Sequence, residues 1–315
     1  MAILGLSIVL LAVTGLLGPS AEASDLSFGD DFWAHWGDGR AELASYDLVF
    51  PRYGELRQGT AVAIFVTETF SDEARVKADP GVHPASDEFP VMKLNLVRDF
   101  ATGLYDYNLM TSAFYAVTPF RGRPAGSPMK VSFSAQEWCG HAYHQLLPME
   151  ETIRSTSHSY FDREADRDVE LSYPGDAVLE DGLFHWARGF AAPAVEPGAK
   201  VVVPLLRSLD HARLVHRPPT WTKATLTVGR KVRTVEVPAG SFEVREHRAE
   251  IVDGPTWTFL VESNPPHRIV SFENTEGQAG QLVGTERLPY WEMNGNSYSD
   301  AVEDLGLHAR PPRTP

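Results

Sequence analysis

Thr256-Trp257-Thr258-Phe259-Leu260-Val261-Glu262 decides the fold class of this chain. Trp257, Phe259 and Val261 share one parity; Thr256, Thr258 and Glu262 share the other, with Leu260 as the exception. Alternation with a period of two marks a strand with one buried face, and Thr, Val, Phe and Trp suit a pleated surface. Upstream, Ala224, Leu226 and Val228 oppose Lys223, Thr225 and Thr227 in the same way. Turn chemistry separates the neighbours. Pro238-Ala239-Gly240 divides residues 232–237 from 242–252, and Asp253-Gly254-Pro255 precedes Thr256. Asn264-Pro265-Pro266 precedes residues 268–272, and Glu276-Gly277 precedes 281–290. Loops this short imply antiparallel pairing, because parallel strands need long crossovers. Residues 221–291 therefore read as a meander of five or six strands.

The first half carries the same signature. Residues 42–52, 61–68, 91–97, 104–117, 129–143 and 152–161 read as further strands. Helical signals are sparse: residues 176–187, capped by Asp176, and a short turn over 31–36 whose Trp33 and Trp36 staple the amino terminus to the core. The charge-dense stretch 162–168 reads as a solvated loop. The expected organisation is a signal peptide over 1–23, an N-terminal β region over 24–161, a linker with a short helix over 162–198, and a C-terminal antiparallel meander over 199–315. The expected fold class is mainly β, with one or two strongly curved antiparallel sheets or incomplete barrels and little helix. Such a sheet can hold a ligand between its inner face and a covering helix or loop.

Composition narrows the function classes. Apolar residues make up 43% of 315, enough for a sizeable core and too many for global disorder. A formal net charge of −14 without a basic block argues against binding nucleic acid, or an anionic membrane through charge. One cysteine excludes an intramolecular disulfide and a cysteine-rich zinc fold. Residues 3–17 form an uncharged, mostly apolar run, and Ala21-Glu22-Ala23 before Ser24 matches cleavage after Ala23, although no Lys or Arg precedes the run. No later segment is long and apolar enough to span a bilayer as a helix. The mature chain is thus expected in the periplasm or secreted, without a transmembrane span. The sequence contains no Walker loop, no GxGxxG after a strand, no GxSxG elbow and no HExxH, and no cofactor or metal is expected.

One constellation carries chemistry. If residues 129–143 run as one regular strand, Met129, Val131, Phe133, Ala135, Glu137, Cys139, His141 and Tyr143 all face the interior. A bulge at Gly140 would undo that register. Three readings follow. Cys139 is a small buried hydrophobe beside hydrogen-bonded Glu137 and His141, the default because buried thiols are common and inert. Alternatively, His141 lowers the pKa of Cys139 to make a nucleophile, with Glu137 or a distant carboxylate orienting the imidazole. In the third, Cys139 and His141, with His144 despite its opposite parity, hold a metal such as zinc. Elsewhere, Arg52-Tyr53-Gly54-Glu55 is either a ligand-contacting turn or a hairpin end with a surface ion pair. Tyr105-Asp106-Tyr107-Asn108 either lines a pocket or packs between strands. His211 and His216 lack ligand spacing. The candidate ligand contacts are Arg52, Tyr53, Tyr105, Tyr107 and Trp138; the candidate catalytic set, should the chain be an enzyme, is Cys139, His141 and Glu137.

Several of these runs carry a resemblance. Arg52-Tyr53-Gly54-Glu55, Ile64-Phe65-Val66-Thr67-Glu68, Lys93-Leu94-Asn95, Thr102-Gly103-Leu104-Tyr105-Asp106-Tyr107, Gln136-Glu137-Trp138-Cys139-Gly140-His141, Pro266-His267-Arg268-Ile269-Val270 and Pro289-Tyr290-Trp291-Glu292 resemble an uncharacterised family of exported bacterial β-rich proteins. Some members bear the label "septum formation inhibitor Maf". True Maf proteins are cytosolic pyrophosphatases with a Ser-Pro-Arg motif, whereas this chain has Phe50-Pro51-Arg52 and an export signal. Residues 237–244, Val-Pro-Ala-Gly-Ser-Phe-Glu-Val, are similar to a β-rich envelope domain related to lipoprotein carriers. That resemblance implies a curved antiparallel sheet around an apolar ligand and supplies no catalytic residues. The leading expectation is a periplasmic cell-envelope protein that binds a lipid-like or other apolar small molecule without catalysis. The alternatives are a thiol-dependent enzyme using Cys139 and His141, and an envelope-assembly scaffold whose contact surface includes Trp138 and residues 105–108.

Overall fold

The computed structural model describes residues 26–308; the expected signal peptide over 1–23 lies outside the described residues. After a short helix α1 (Asp30–Trp36), the first half forms β1 (Ala41–Arg52), β2 (Glu55–Ser71), a short β3 (Val76–Lys77), β4 (Glu88–Thr102), β5 (Tyr105–Ala116), β6 (Pro128–Glu137), β7 (Gly140–Pro148), β8 (Thr152–Ser159) and β9 (Arg167–Ser172). The second half forms β10 (Val178–Leu179), α2 (Leu183–Ala187), β11 (Lys200–Leu206), α3 (Leu209–Val215), β12 (Trp221–Val237), β13 (Gly240–Ile251), β14 (Thr256–Glu262), β15 (Ile269–Asn274) and β16 (Ala279–Leu288). The meander read over 221–291 is the run β12 to β16.

All of these strands belong to one sheet, ordered β10-β11-β12-β13-β14-β15-β16-β1-β2-β4-β5-β6-β7-β8-β9, with β3 added to β2. Every pairing is antiparallel except β10 with β11. The sheet curls without closing: β9 and β10 are its two edges. The two halves of the chain meet where β1 pairs with β16, Ala41 opposite Leu288 and Val49 opposite Ala279. The stretch 162–198, expected as a linker, carries β9, β10 and α2. The helix expected over 176–187 shrinks to α2 and a preceding single turn, because Val178 and Leu179 extend to pair with Leu205 and Leu206.

The curl encloses a filled interior. Inward residues of β1 (Tyr46, Leu48, Phe50) meet those of β2, β4, β5 and β6 in one core that continues through β11 to β16. Each of the five residues of α2, Leu-Phe-His-Trp-Ala, is buried. Apart from His185, whose Nε2 lies 3.2 Å from the Met92 carbonyl, α2 is apolar, as suits a helix in an interior, and it joins the two halves of the core. Phe184 packs edge-on against Phe259 and Phe272, at 5.2 and 5.0 Å between ring centroids. His185 sits against Phe65 and Tyr115 at 5.6 and 4.5 Å. Just past α2, Arg188 donates to both oxygens of Glu42 and to the carbonyls of Pro266 and His267, tying α2 to β1 and to the turn after β14. On the outer face, Leu305 covers Ala41, Leu43 and Val66, which is why both faces of β1 are buried at its start.

Register puts one set of connections at a single end. The turns 53–54, 103–104 and 138–139 and the loop 160–166 close β1–β2, β4–β5, β6–β7 and β8–β9 there. The segment carrying α3 lies at the same end, between β11 and β12.

Candidate functional site

The shared inner face expected for Glu137, Cys139 and His141 does not form, because the expected strand over 129–143 is two strands. β6 ends at Glu137 and β7 begins at Gly140, with Glu137 opposite Gly140 and Gln136 opposite His141. The turn resets the parity. Glu137 keeps the inward direction of Val131, Phe133 and Ala135, and its side chain is 2% exposed. Cys139 is an exposed free thiol on the turn, so the buried-hydrophobe reading is corrected. His141 lies on the outer face, opposite in parity to buried Ala142. His144, read as having the wrong parity, is the histidine that faces inward with Ala142 and Leu146. Cys139 and His141 border a shallow outer depression with Asp106, Asn108 and Gln136, and Cys139 makes no hydrogen bond among the described residues. Accordingly, Cys139 should react fully with a thiol reagent in the native state, and Cys139→Ser should change stability by less than about 0.5 kcal/mol, the usual surface range. A thiol that reacts only after unfolding would contradict this geometry.

The other sequence candidates converge. The β1–β2 turn places Tyr53 at φ 56°, followed by Gly54 at φ 75°, the left-handed pair that suits a tight hairpin. Arg52 donates to the Tyr107 hydroxyl at 3.1 Å and to that of Tyr53 at 3.2 Å, and those two hydroxyls are 2.7 Å apart. The guanidinium also lies over the Tyr53 ring at 4.2 Å. Tyr105 approaches the Tyr53 hydroxyl at 3.5 Å and stands 6.3 Å from the Trp138 ring. Tyr107 donates to Glu137, and burial together with that carboxylate pushes its hydroxyl pKa well up. Below it, Tyr107, Phe100 and Phe50 stack at 5.0 and 4.5 Å. Arg52, Tyr53, Tyr105, Tyr107 and Glu137 thus form one hydrogen-bonded rim, with Trp138 beside it.

Glu137 links that rim to a second group that the sequence reading missed. Its carboxylate also accepts from Arg213 of α3. Arg213 in turn bonds Glu164 and the His216 Nδ1, each at 3.3 Å, and lies 3.6 Å over the Phe161 ring. Two ion pairs therefore pin α3 across the sheet: Arg213 to Glu137 on β6, and Asp210 to Arg98 on β4. Ser208 caps the helix by accepting from the His211 N–H at 3.2 Å. Glu164, in the stretch read as a solvated loop, has a side chain only 15% exposed.

Between α3 and the inner faces of β7, β8 and β9 lies a cleft, at the seam where the sheet fails to close. Its apolar floor includes Phe133, Ala142, Leu171, Leu209 and Ala212. Its polar wall includes His144, whose Nε2 lies 2.8 Å from the Ser155 hydroxyl and whose pKa burial lowers to about 4. The enclosed space is about 70 Å³. The parity of Ile153-Arg154-Ser155-Thr156-Ser157-His158-Ser159 was the available signal, since the inward row started by Ile153 continues as serines.

No family model matches the chain, and no curated protein matches it. Among solved structures it is similar to the β-barrel-like protein of domain of unknown function DUF1849 from Brucella abortus. The two share 11% identity with a TM-score of 0.47, over 79% of this chain and 98% of that one. The septum-formation label and the lipoprotein-carrier likeness find no counterpart in these comparisons. Among the described residues, no helix is long and apolar enough to cross a membrane.

Proposed function

We propose that the chain is a periplasmic cell-envelope protein that binds a lipid-like, partly apolar small molecule without catalysis. The observation that carries this reading is the seam cleft, where an apolar floor on the inner face of a curved sheet is covered by a helix and opens at the end bearing the aromatic rim. Because the centre of the curl is filled, this reading depends on the seam alone. The short apolar run before Ala21-Glu22-Ala23 supports the location.

Native mass spectrometry of the protein purified from an exported fraction without detergent tests both parts. The expected result is a chain beginning at Ser24 that carries an adduct of several hundred daltons, lost on denaturation. A chain retaining residues 1–23 in a cytosolic fraction would remove the location. A bare mass, with no binding of added amphiphiles, would remove the role.

A second reading, an envelope-assembly scaffold, draws on the tips around the cleft: Tyr53, Leu104, Trp138 and Tyr160 are 57, 82, 70 and 74% exposed. Gly140, at φ 154°, lets the Tyr160 ring lie against the β6–β7 turn, where a Cβ would meet it at 2.5 Å. Exposed large apolar side chains grouped at one end of a fold suit a contact surface. A pull-down that recovers an envelope protein with the native chain, and loses it with Trp138→Ser and Leu104→Ser, is the expected outcome of that reading.

A further inference from the structure

The polar wall of the seam cleft specifies more about the ligand than its apolar floor does. The inward row of β8 is Ile153, Ser155, Ser157 and Ser159, three hydroxyls on a face that elsewhere in the sheet carries Val, Leu and Phe. Polar groups turned inward are costly unless bonded. Ser155 is met by His144, and Ser159 donates to Glu164 at 2.6 Å. Ser157, between them, makes no side-chain hydrogen bond among the described residues.

Charge points the same way. Arg163, Arg167 and Arg217 line the cleft, and none of them forms an ion pair among the described residues. The single lining carboxylate, Glu164, is already committed to Arg213, His216 and Ser159. Arg213 itself is 6% exposed and its Nε has no partner. Three arginines without a carboxylate partner within 4 Å therefore border one mouth, although Asp162, Asp166 and Asp168 flank two of them along the chain. Size is compatible with an anionic group. The cleft, about 70 Å³ and open at its mouth, has room for a headgroup-sized oxyanion.

We infer that the seam cleft is an oxyanion site, which takes the carboxylate or phosphate headgroup of an anionic amphiphile on the β8 hydroxyls and the arginines around them. The tail lies along the apolar floor toward the open mouth. Arginine suits this role because its planar fork meets carboxylate and phosphate oxygens in pairs. This inference rests on the binding role proposed above.

Calorimetric titration of the mature chain with dodecyl phosphate, dodecanoate, dodecanol and inorganic phosphate tests it. Dodecyl phosphate and dodecanoate should bind, with an affinity that falls as salt rises, and dodecanol should bind at least tenfold more weakly. The double variant Arg163→Ala/Arg217→Ala, both exposed positions, should lose at least tenfold in affinity for the two anions with an unchanged unfolding midpoint. Ser157→Val should lower it further. Inorganic phosphate binding as tightly as dodecyl phosphate would keep the oxyanion site, identify free phosphate as the source, and overturn the apolar part of the proposed role. Equal binding of dodecanol would overturn the headgroup inference and leave that role standing. No binding of any of the four would overturn both.

Discussion

Arg188→Ala should cost about 3–5 kcal/mol of stability, the range for breaking a buried ion pair from one side. The Arg188 and Glu42 side chains are 1% and 2% exposed, so the substitution strands a carboxylate in the interior. It also frees the carbonyl of Pro266, held at 2.8 Å, and that of His267, held at 3.1 Å. The guanidinium further lies 4.5 Å from the Phe65 ring centroid and 5.2 Å from that of Phe190, so aromatic contacts go with it. Lysine should not rescue, because it cannot serve two carboxylate oxygens and two carbonyls at once. Replacing both partners, Glu42→Leu with Arg188→Met, should recover much of the loss, since the desolvation penalty is then removed. Urea unfolding at unchanged m-value measures each step. A loss below about 1 kcal/mol for Arg188→Ala would show that the pair does not hold α2 in place.

The second large effect is loss of stability in acid. Burial lowers the pKa of His185 to about 3, and that of His144 and His247 to about 4, against 6.5 in the unfolded chain. Between those values the unfolded state binds more protons than the folded one. The contribution of these histidines is therefore full above pH 6.5 and lost as pH falls through that window. Asp181 opposes this: burial raises its pKa to about 8 from 3.8, so its contribution grows as pH falls toward 4. Three groups against one would give about 2.7 kcal/mol per pH unit. His144, His247 and Asp181 keep part of their surface in water, so about 1–2 kcal/mol per unit is the discounted expectation. The unfolding midpoint in urea, followed from pH 7 to 4.5, should fall accordingly. His185→Phe should flatten the profile by nearly one proton, because His185 is the fully buried member and its Nδ1 has no partner. Asp181→Asn should instead raise stability at pH 8 and steepen the acid limb. A flat midpoint across the range would refute the placement of these histidines.

Much of the fold was legible because a half-buried strand writes its period directly into the sequence. Residues 256–262 and the turns at 238–240 and 253–255 give the second-half meander nearly residue by residue. The break at 138–139 was not legible. Trp138 and Cys139 lack the usual turn residues, and although the apolar alternation stops after Ala135, Gly140 alone reads as a bulge and not as a reversal. That one turn decided the fate of the Cys139–His141 reading. The rim was partly legible, since Arg52, Tyr53, Tyr105 and Tyr107 stand at strand ends. What brings them to Glu137 is register across five strands, which no local pattern records. Arg213 and Glu164 were out of reach for the same reason: they meet Glu137 and Arg213 across 76 and 49 residues of chain.

The position of β1 in the middle of the sheet has a kinetic consequence. One of its edges finds β2 within a few residues, whereas the other must wait for β16, some 230 residues later in synthesis. Topologies dominated by such distant pairings fold slowly, because loop-closure entropy is lost before the contacts form. Until residues 279–288 have emerged, the 41–49 edge is a bare row of backbone donors and acceptors flanked by Leu43, Tyr46 and Leu48. Unpaired edges of this kind recruit strands from other chains. Chains truncated before β16 should therefore aggregate rather than persist as half-sheets, and the nascent protein is an expected client for holding chaperones until its last strand arrives.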